Sequence, residues 1–448
     1  MLTLEALTSA AKHYPQSAFA GAQKSLWQQW NYVMRVVPGI AHLFEELERK
    51  IHDVFLPTLL DRDAEDITED LRSVIALPST CGGMSLTNPV ENAPRAFHAS
   101  GLMVGYLAAT IRDSSATFEL ERHMETARVT RLQLTNRKYL DGDAARIEIC
   151  ARLPPVQGRI VGRQHTALPY LMIMPSVDCG TTLSPDEFRT GTNLRYGWIP
   201  RNLSKVCDGC GAKFDMNHAL SCNHGGLMIT SHDQLSHTLQ DLGKAALGPS
   251  KVRDEPRTKL GRGAALKGSP TEVQDVQVNH QRRGDGLFIG FWSACTDTIL
   301  DCQFVNLEAE SYKDREPDAV LASRQAAKKK KHRGDCELNR RHFTPFISSR
   351  DAILAKEANS FTRALAAHLA KKWNRAYSDT CGYIKGRLGL TIIRATTRCL
   401  YGSRVPARHV STAPIWSDGL GLGLWTTCTM SDPPFSGIPP SAVRRAEA

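Results

Sequence analysis

Two aspartates in one stretch of the 448-residue chain are spaced so that they could hold a divalent cation. Asp285 precedes the apolar run GLFIGFW, and Asp301 lies inside the apolar run TILDCQFVN. Both runs have the composition of β-strands, and because side chains alternate along a strand, Asp301 and Gln303 should share one face. Two carboxylates on neighbouring strands offer the oxygen ligands that Mg²⁺ or Mn²⁺ needs to activate a water for phosphodiester cleavage. The spacing also fits a simpler interpretation, in which both aspartates cap turns at strand ends.

A second group of residues has the spacing of a zinc site. The segment CDGCGAKFDMNHALSC supplies Cys207, Cys210, His218 and Cys222, and its separations can close a tetrahedral site of four ligands. A site closed by four protein ligands is structural, because no coordination position is left for a substrate. His224 is a spare ligand candidate. The alternative is that these are buried cysteines and an ordinary histidine.

Composition limits the class of protein and its partners. Lys and Arg exceed Asp and Glu by enough to give a formal net charge of +10 and a pI near 9.0, which favours a polyanionic partner such as nucleic acid. A basic surface without a partner is the alternative. No apolar run approaches the roughly 18 residues of a membrane span, and no signal peptide is recognisable at the N-terminus. The cysteines are mostly scattered, so we expect a reducing, intracellular compartment.

Periodicity predicts helices on both sides of the acidic stretch. Residues 1–130 read as helical, and helices are also predicted over 231–247, where Ser231 is in a capping position, and over 353–373. Gly, Pro and Ser become frequent after residue 406, which predicts a loose tail over 406–448.

The order of several segments resembles one known family. These segments are HYPQSAFAGAQKSLWQQWNYVMRVVPGI (13–40), LERKIHDVFLPTLL (47–60), LPSTCGGMSLTNP (77–89), SPDEFRTGTNLRYGW (184–198), the Cys/His segment, the RRGD and LDCQ blocks, SYKDREPDAVL, RRHFTPF, and the closing segment 377–404. Together they resemble the C-terminal part of a non-LTR retrotransposon reverse transcriptase polyprotein that carries a restriction-like endonuclease. The likeness spans roughly residues 12–404. No Tyr/Phe-x-Asp-Asp box is present in the chain, so the polymerase aspartates are not in it.

This resemblance implies an α/β multidomain architecture. It predicts a helical thumb-like region over 1–130, an irregular linker over 131–200, a CCHC zinc knuckle over 201–226, and a PD-(D/E)xK endonuclease over 227–405. The endonuclease would consist of a mixed sheet with flanking helices. Its implied cofactors are Zn²⁺ in the knuckle and Mg²⁺ or Mn²⁺ at the acids.

The resemblance also implies roles for individual residues. Asp285 and Asp301 would bind the catalytic metal, and Glu255 would join the metal shell, although a solvated surface position fits Glu255 as well. His232 corresponds to the histidine of an Arg-His pair of the family. Gln303 departs from the family, which usually has Arg there, and related nucleases have Lys. Glutamine can orient a water but brings no positive charge to the developing phosphorane.

Basic residues near the acids are candidate nucleic-acid contacts. Arg282 and Arg283 precede Asp285, and a four-lysine run follows downstream, consisting of Lys328, Lys329, Lys330 and Lys331. The run is compatible with a DNA-backbone patch, with a nuclear-localisation cluster, or with a solvated helix end. The sequence therefore predicts a nuclear protein whose partners are target DNA and element RNA. It would be either a nicking endonuclease for target-primed reverse transcription or a nucleic-acid-binding remnant with a decayed active site.

Overall fold

The computed structural model describes residues 2–113, 117–254, 256 and 283–405, and it divides the chain into two compact units. The first unit comprises Met1–Thr166 and Thr182–Ile199, and the second comprises Ala167–Thr181 and the chain from Pro200 onward. The architecture is mixed α/β and mostly helical, with one four-stranded sheet. None of the helices described reaches the length and apolarity that a membrane crossing requires.

The first unit is built from helices. The α-helices are α1 (Leu2–Ala11), α2 (Pro15–Gly21), α3 (Trp27–Gln29), α4 (Asn31–Val36), α5 (Glu45–Lys50), α6 (Leu56–Leu60), α7 (Glu69–Ala76), α8 (Pro89–Arg112), α9 (Leu120–Arg152), α10 (Pro155–Arg163) and α11 (Pro185–Tyr196). Two π-helical turns, Ala22–Leu26 and Ile51–Phe55, join neighbouring helices without a break. Short 3₁₀ turns lie at Ala41–Phe44, Ala64–Asp66, Ser79–Cys81 and Gln164–Thr166.

The helical prediction for residues 1–130 is confirmed where the structure describes them, at 2–113 and 117–130. The prediction of an irregular linker over 131–200 is wrong in its secondary structure. Much of that interval is helical, because it contains the C-terminal part of α9 and the whole of α10 and α11. Ser184 and Glu187 form a capping box at the start of α11, and Gly197 ends that helix with a positive φ. These are standard helix boundaries, although the polar sequence between them shows little apolar periodicity.

The second unit contains the sheet, whose strands are β1 (Val252–Asp254), β2 (Gly286–Ser293), β3 (Thr296–Val305) and β4 (His342–Ser349). Their order is β1-β2-β3-β4, with β1 and β3 antiparallel to β2 and with β4 parallel to β3. The α-helices of this unit are α12 (Met216–Ala219), α13 (Leu227–Leu247), α14 (Pro317–Leu338), α15 (Lys356–Trp373) and α16 (Tyr377–Tyr401), and its 3₁₀ turns lie at Tyr170–Met172, His224–Gly226 and Pro249–Lys251. Helix α14 is the crossover between the parallel strands β3 and β4.

Both faces of the sheet are covered. Leu287 and Ile299 pack against Cys336 of α14 on one face. On the other face, Phe288 packs edge-on against Phe361 of α15. Both strands that the apolar runs predicted are therefore present, and Asp301 of β3 is buried within this layered unit.

A β-bulge interrupts the alternation of β2. Its pairing with β3 shifts register between Phe288 and Ser293, and Gly290 within this interval has a φ of +69°. The extra residue turns Phe291 to the same face as Phe288, where it stacks on Phe361 with ring centroids 4.3 Å apart. Strict period-two alternation would have placed Phe291 on the opposite face.

Candidate functional site

The cysteine and histidine side chains of the predicted zinc site come together. The ligand atoms of Cys207, Cys210, His218 and Cys222 all lie within 4.8 Å of one another. Cys207 Sγ is 3.9 Å from Cys222 Sγ, and Cys210 Sγ is 3.4 Å from His218 Nε2. Zinc bonds of about 2.3 Å to sulfur and about 2.1 Å to nitrogen, at tetrahedral angles, place two sulfurs about 3.8 Å apart and a sulfur and nitrogen about 3.6 Å apart. The four residues therefore fit a zinc ion, and His224 is not part of the cluster.

Backbone hydrogen bonds shape the loop that carries the first two ligands. Cys207 N donates to Ala212 O, and Gly211 N donates to Cys207 O. Gly211 has a φ of +72°, so the tight turn after Cys210 needs a glycine there. Asp215 caps the short helix α12 by accepting a hydrogen bond from His218 N at 2.8 Å.

The loop also tunes one thiol for metal binding. Burial acts to raise the pKa of Cys207, but backbone N–H groups of Cys210 and Gly209 and the side chain of His218 outweigh it and lower that pKa to about 6. A thiolate is the form that coordinates zinc, so this loop favours the ligand state of Cys207 near neutral pH.

A buried arginine just after α16 connects the zinc cluster to the end of that helix. Arg404 is 2 % exposed, and its guanidinium donates to Ala219 O at 2.9 Å and to Cys399 O at 2.6 Å. Its backbone N–H donates to Asp208 Oδ2. A Cβ added to Gly209 would lie 2.7 Å from Arg404 Cβ, so this glycine is required by close packing. Periodicity alone could not reveal this contact, because it joins two segments far apart in the sequence.

The two predicted metal-binding acids lie opposite each other, Asp285 directly before β2 and Asp301 within β3. Gly286 pairs with Leu300, and the N–H of Asp285 donates to Leu300 O at 2.8 Å. Asp285 Oδ2 also accepts a hydrogen bond from the backbone N–H of Cys302. Asp301 is 5 % exposed, and the side chain of Asp285 is 17 % exposed. The acids are thus close and largely enclosed.

Helix α13 holds Asp285 through three side chains spaced four residues apart. His232 Nε2 lies 3.0 Å from Asp285 Oδ2. Ser236 Oγ and Gln240 Nε2 donate to Asp285 O at 3.3 and 2.7 Å. Since residues four apart share one helix face, the three side chains form a polar row along α13 that faces the start of β2.

These contacts lower the pKa of the acid and raise that of the histidine. Desolvation acts to raise the pKa of Asp285, but the hydrogen bond and charge of His232 and the Cys302 N–H lower it. The pKa of His232 is raised to about 9, chiefly by its hydrogen bond to Asp285 and against the effect of burial. His232 is therefore mostly an imidazolium at neutral pH.

Helix α14 supplies a cation to the second acid. Lys328 Nζ lies 2.9 Å from Asp301 Oδ2, and the buried His332, one turn later, has Nε2 3.6 Å from the same oxygen. Burial and the nearby Asp285 raise the pKa of Asp301 to about 6, although Lys328 acts to lower it. Lys328, one of the four lysines that the sequence offers as nucleic-acid contacts, therefore lies beside the acid pair.

The other residues that the sequence predicts to contact nucleic acid or metal do not form a single group. Lys329 pairs with Glu357 of α15, while Lys330 and Lys331 are exposed on α14. Arg283 is exposed, and Gln303 is partly exposed on the same strand as Asp301. Arg282, Glu255 and the tail over 406–448 lie outside the described residues.

One local prediction is corrected by the position of Ser231. Helix α13 begins at Leu227, so Ser231 lies inside the helix and does not cap it. Its Oγ is buried, donates to Ala395 O at 3.1 Å and contacts Cys399 Sγ at 3.1 Å.

No protein-family model matches the chain, and no curated protein matches it.

Proposed function

We propose that this protein is a retroelement-derived, metal-dependent DNA endonuclease of the PD-(D/E)xK type, which nicks target DNA so that the free 3′ end can prime reverse transcription. One observation carries the proposal: Asp285, directly before β2, lies beside Asp301 of the paired strand β3, and a lysine amine reaches the second acid. The resemblance of the ordered sequence segments supplies the family, and the mixed sheet with helices on both faces is the kind of fold that this family implies.

Each acid would contribute one oxygen to the metal. The hydrogen bonds from His232 and from the Cys302 N–H converge on Asp285 Oδ2, so Oδ1 is the oxygen left to face a cation. Among the described residues, three or more Cys, His, Asp or Glu ligand atoms come together in the zinc cluster and not at the acid pair. A Mg²⁺ or Mn²⁺ ion at the acid pair would therefore take its remaining ligands from water and a DNA phosphate, as Mg²⁺ usually does.

Lys328 would supply the positive charge that Gln303 lacks. Its Nζ approaches Asp301 from α14 rather than from the strand. When a metal occupies the acids, this amine is placed to hold the attacking water or to stabilise charge on the phosphate. Gln303, on the same strand as Asp301, would orient water through its amide.

The remaining basic features would bind nucleic acid without reading its sequence. Lys330 and Lys331 are exposed, as is Arg283, and the chain carries a net charge of +10. Contacts of this kind to the DNA or RNA backbone give affinity and salt dependence. DNA and element RNA are the proposed partners, and the nucleus is the proposed location.

A second candidate function is nucleic-acid binding without cleavage. Enclosure of the acids favours it, because Asp301 is 5 % exposed and is already neutralised by Lys328, as Asp285 is by His232. In that case the cations would be permanent partners of the acids, and no divalent metal would replace them.

A nicking assay on supercoiled plasmid distinguishes the endonuclease from the binding protein. Purified protein is incubated with plasmid and Mg²⁺ or Mn²⁺, and nicked circles are quantified beside a gel shift with the same DNA. For the endonuclease, Asp301→Asn should abolish nicking, and Lys328→Ala should slow it by about 10²–10³-fold. Lys356→Ala is the matched control, since it removes an exposed lysine from α15 that is not among the proposed nucleic-acid contacts. A gel shift with no nicking by the native protein would support the binding protein instead.

A further inference from the structure

The zinc cluster and the acid pair are joined by two short routes of side-chain contact. In the first route, Asn217, which precedes the zinc ligand His218, accepts a hydrogen bond from Asn306 Nδ2 at 2.8 Å. Asn306 directly follows β3, the strand that carries Asp301. This hydrogen bond therefore connects the residue before His218 to the residue that follows β3.

The second route runs through the helices. Cys207 and Cys222 share a buried apolar cluster with Cys399 of α16. Cys399 Sγ contacts Ser231 Oγ, and the next residue on α13 is His232, which holds Asp285. Helix α13 also begins only a few residues after Cys222, so the cluster fixes the start of the helix whose polar row binds Asp285.

We propose that the Cys/His cluster is the positioning device of the acid pair, with Asn217, Asn306 and Ser231 as positioning residues. Zinc coordination holds Asn217 against Asn306 and holds Cys399 against Ser231, and so fixes β3 and α13 in the register that sets Asp301 beside Asp285. Small zinc sites are folded with metal and unfolded without it, which supplies the two states that coupling between distant sites requires. This inference deepens the proposed function, but it makes a claim about structure that holds whether or not the protein cuts DNA.

Hydrogen exchange at the acid pair tests the first route directly. The N–H of Cys302 donates to Asp285 Oδ2, so its exchange rate reports how firmly the two acids are held. Asn217→Ala removes an exposed side chain of the cluster while leaving the zinc ligands intact. One hydrogen bond contributes about 0.5–1.5 kcal/mol, so exchange at Cys302 should accelerate about 2- to 12-fold while the zinc content stays at the native level. The double variant Asn217→Ala/Asn306→Ala should exchange no faster than the faster single variant, since both substitutions remove the same contact.

Asn339→Ala is the matched control for these variants. It removes an asparagine hydrogen bond to Asp335 O at the end of α14, away from both routes. Exchange at Cys302 that stays within twofold of the native rate in Asn217→Ala would overturn the proposal. An equal acceleration in Asn339→Ala would also overturn it.

Removing zinc provides a second measurement, and Ser231→Ala tests the second route. With a chelator in place of zinc, exchange should rise first in α12, at the start of α13 and at the end of β3, while α15 stays protected. Uniform opening of the whole unit, or no change at β3, would contradict the proposed positioning. In Ser231→Ala, the Asp285 N–H, which donates to Leu300 O, should exchange faster at native zinc content. None of these experiments contains DNA or Mg²⁺, so their failure is distinguishable from a failure to cleave.

Discussion

Replacing Lys328 with methionine should destabilise the second unit in a pH-dependent way. The amine lies 2.9 Å from the carboxylate of Asp301, which is 5 % exposed, so its loss leaves a buried acid without its cation. An opposite charge at this distance typically lowers the pKa of an acid by about 1–3 pH units. The pKa of Asp301, now about 6, should therefore rise to about 7–9 in Lys328→Met.

The sign of the effect follows from proton linkage. Because the folded pKa of Asp301 lies above its unfolded value of 3.8, the folded state binds the proton more tightly and loses stability as pH rises from 3.8 to about 6. In Lys328→Met that loss continues to higher pH. A tenfold change in proton affinity corresponds to about 1.4 kcal/mol, so the variant should be about 1–3 kcal/mol less stable than the native protein at pH 8. At pH 5, where Asp301 is mostly protonated in both proteins, this contribution should nearly vanish.

Chemical denaturation of both proteins at pH 5 and pH 8 measures this difference. Lys330→Met is the control, because Lys330 is exposed on the same helix and should give the same stability change at both pH values. A Lys328→Met variant that is destabilised equally at pH 5 and pH 8 would refute the reasoning. The cost would then come from lost packing rather than from the ionised carboxylate.

Three further predictions concern the elements that hold the site. In Asp285→Asn, the imidazole of His232 should titrate near its ordinary pKa of 6.5 instead of about 9, as followed by NMR, and an unchanged pKa would show that Asp285 is not its partner. Gly243→Ala should destabilise the protein by about 1–3 kcal/mol, because the added Cβ would lie 2.3 Å from a ring carbon of Phe288. Gly334→Ala, in an α14 position with open space around it, should instead stabilise by up to about 1 kcal/mol in the same denaturation assay. Chelation of zinc should lower the midpoint of thermal unfolding, and metal analysis should find one zinc per chain, since the four ligands form a single site.

The sequence predicted the parts of the site that depend on local pattern. Apolar runs located β2 and β3, and ligand spacing located the zinc cluster, because both signals are set by residues close together in the chain. The polar row of α13 was missed, apart from His232. Ser236 and Gln240 are ordinary polar residues until the helix is packed on β2, so only tertiary structure reveals what they hold.

The enclosure of Lys328 and Lys329 could not be predicted from the sequence for a related reason. Four consecutive lysines look like a solvated surface, yet on a helix only some of them can face outward. Here Lys328 turns toward Asp301 and Lys329 toward Glu357, while the next two remain in solvent. Charge composition could not predict which members of the run would be enclosed, because that depends on the rotation of α14 against the sheet.

Because the amine beside Asp301 comes from Lys328 of helix α14, the position of that helix decides which mutations the acid pair should tolerate. Position 303 is then released from having to encode a basic side chain, so a neutral side chain that can hydrogen-bond a water should be sufficient there. The interval between Pro317 and Lys328 becomes intolerant of length change, because one inserted or deleted residue turns the following part of a helix by about 100°. Frame-preserving insertions there should therefore be more damaging than any single replacement in β3 next to the acid.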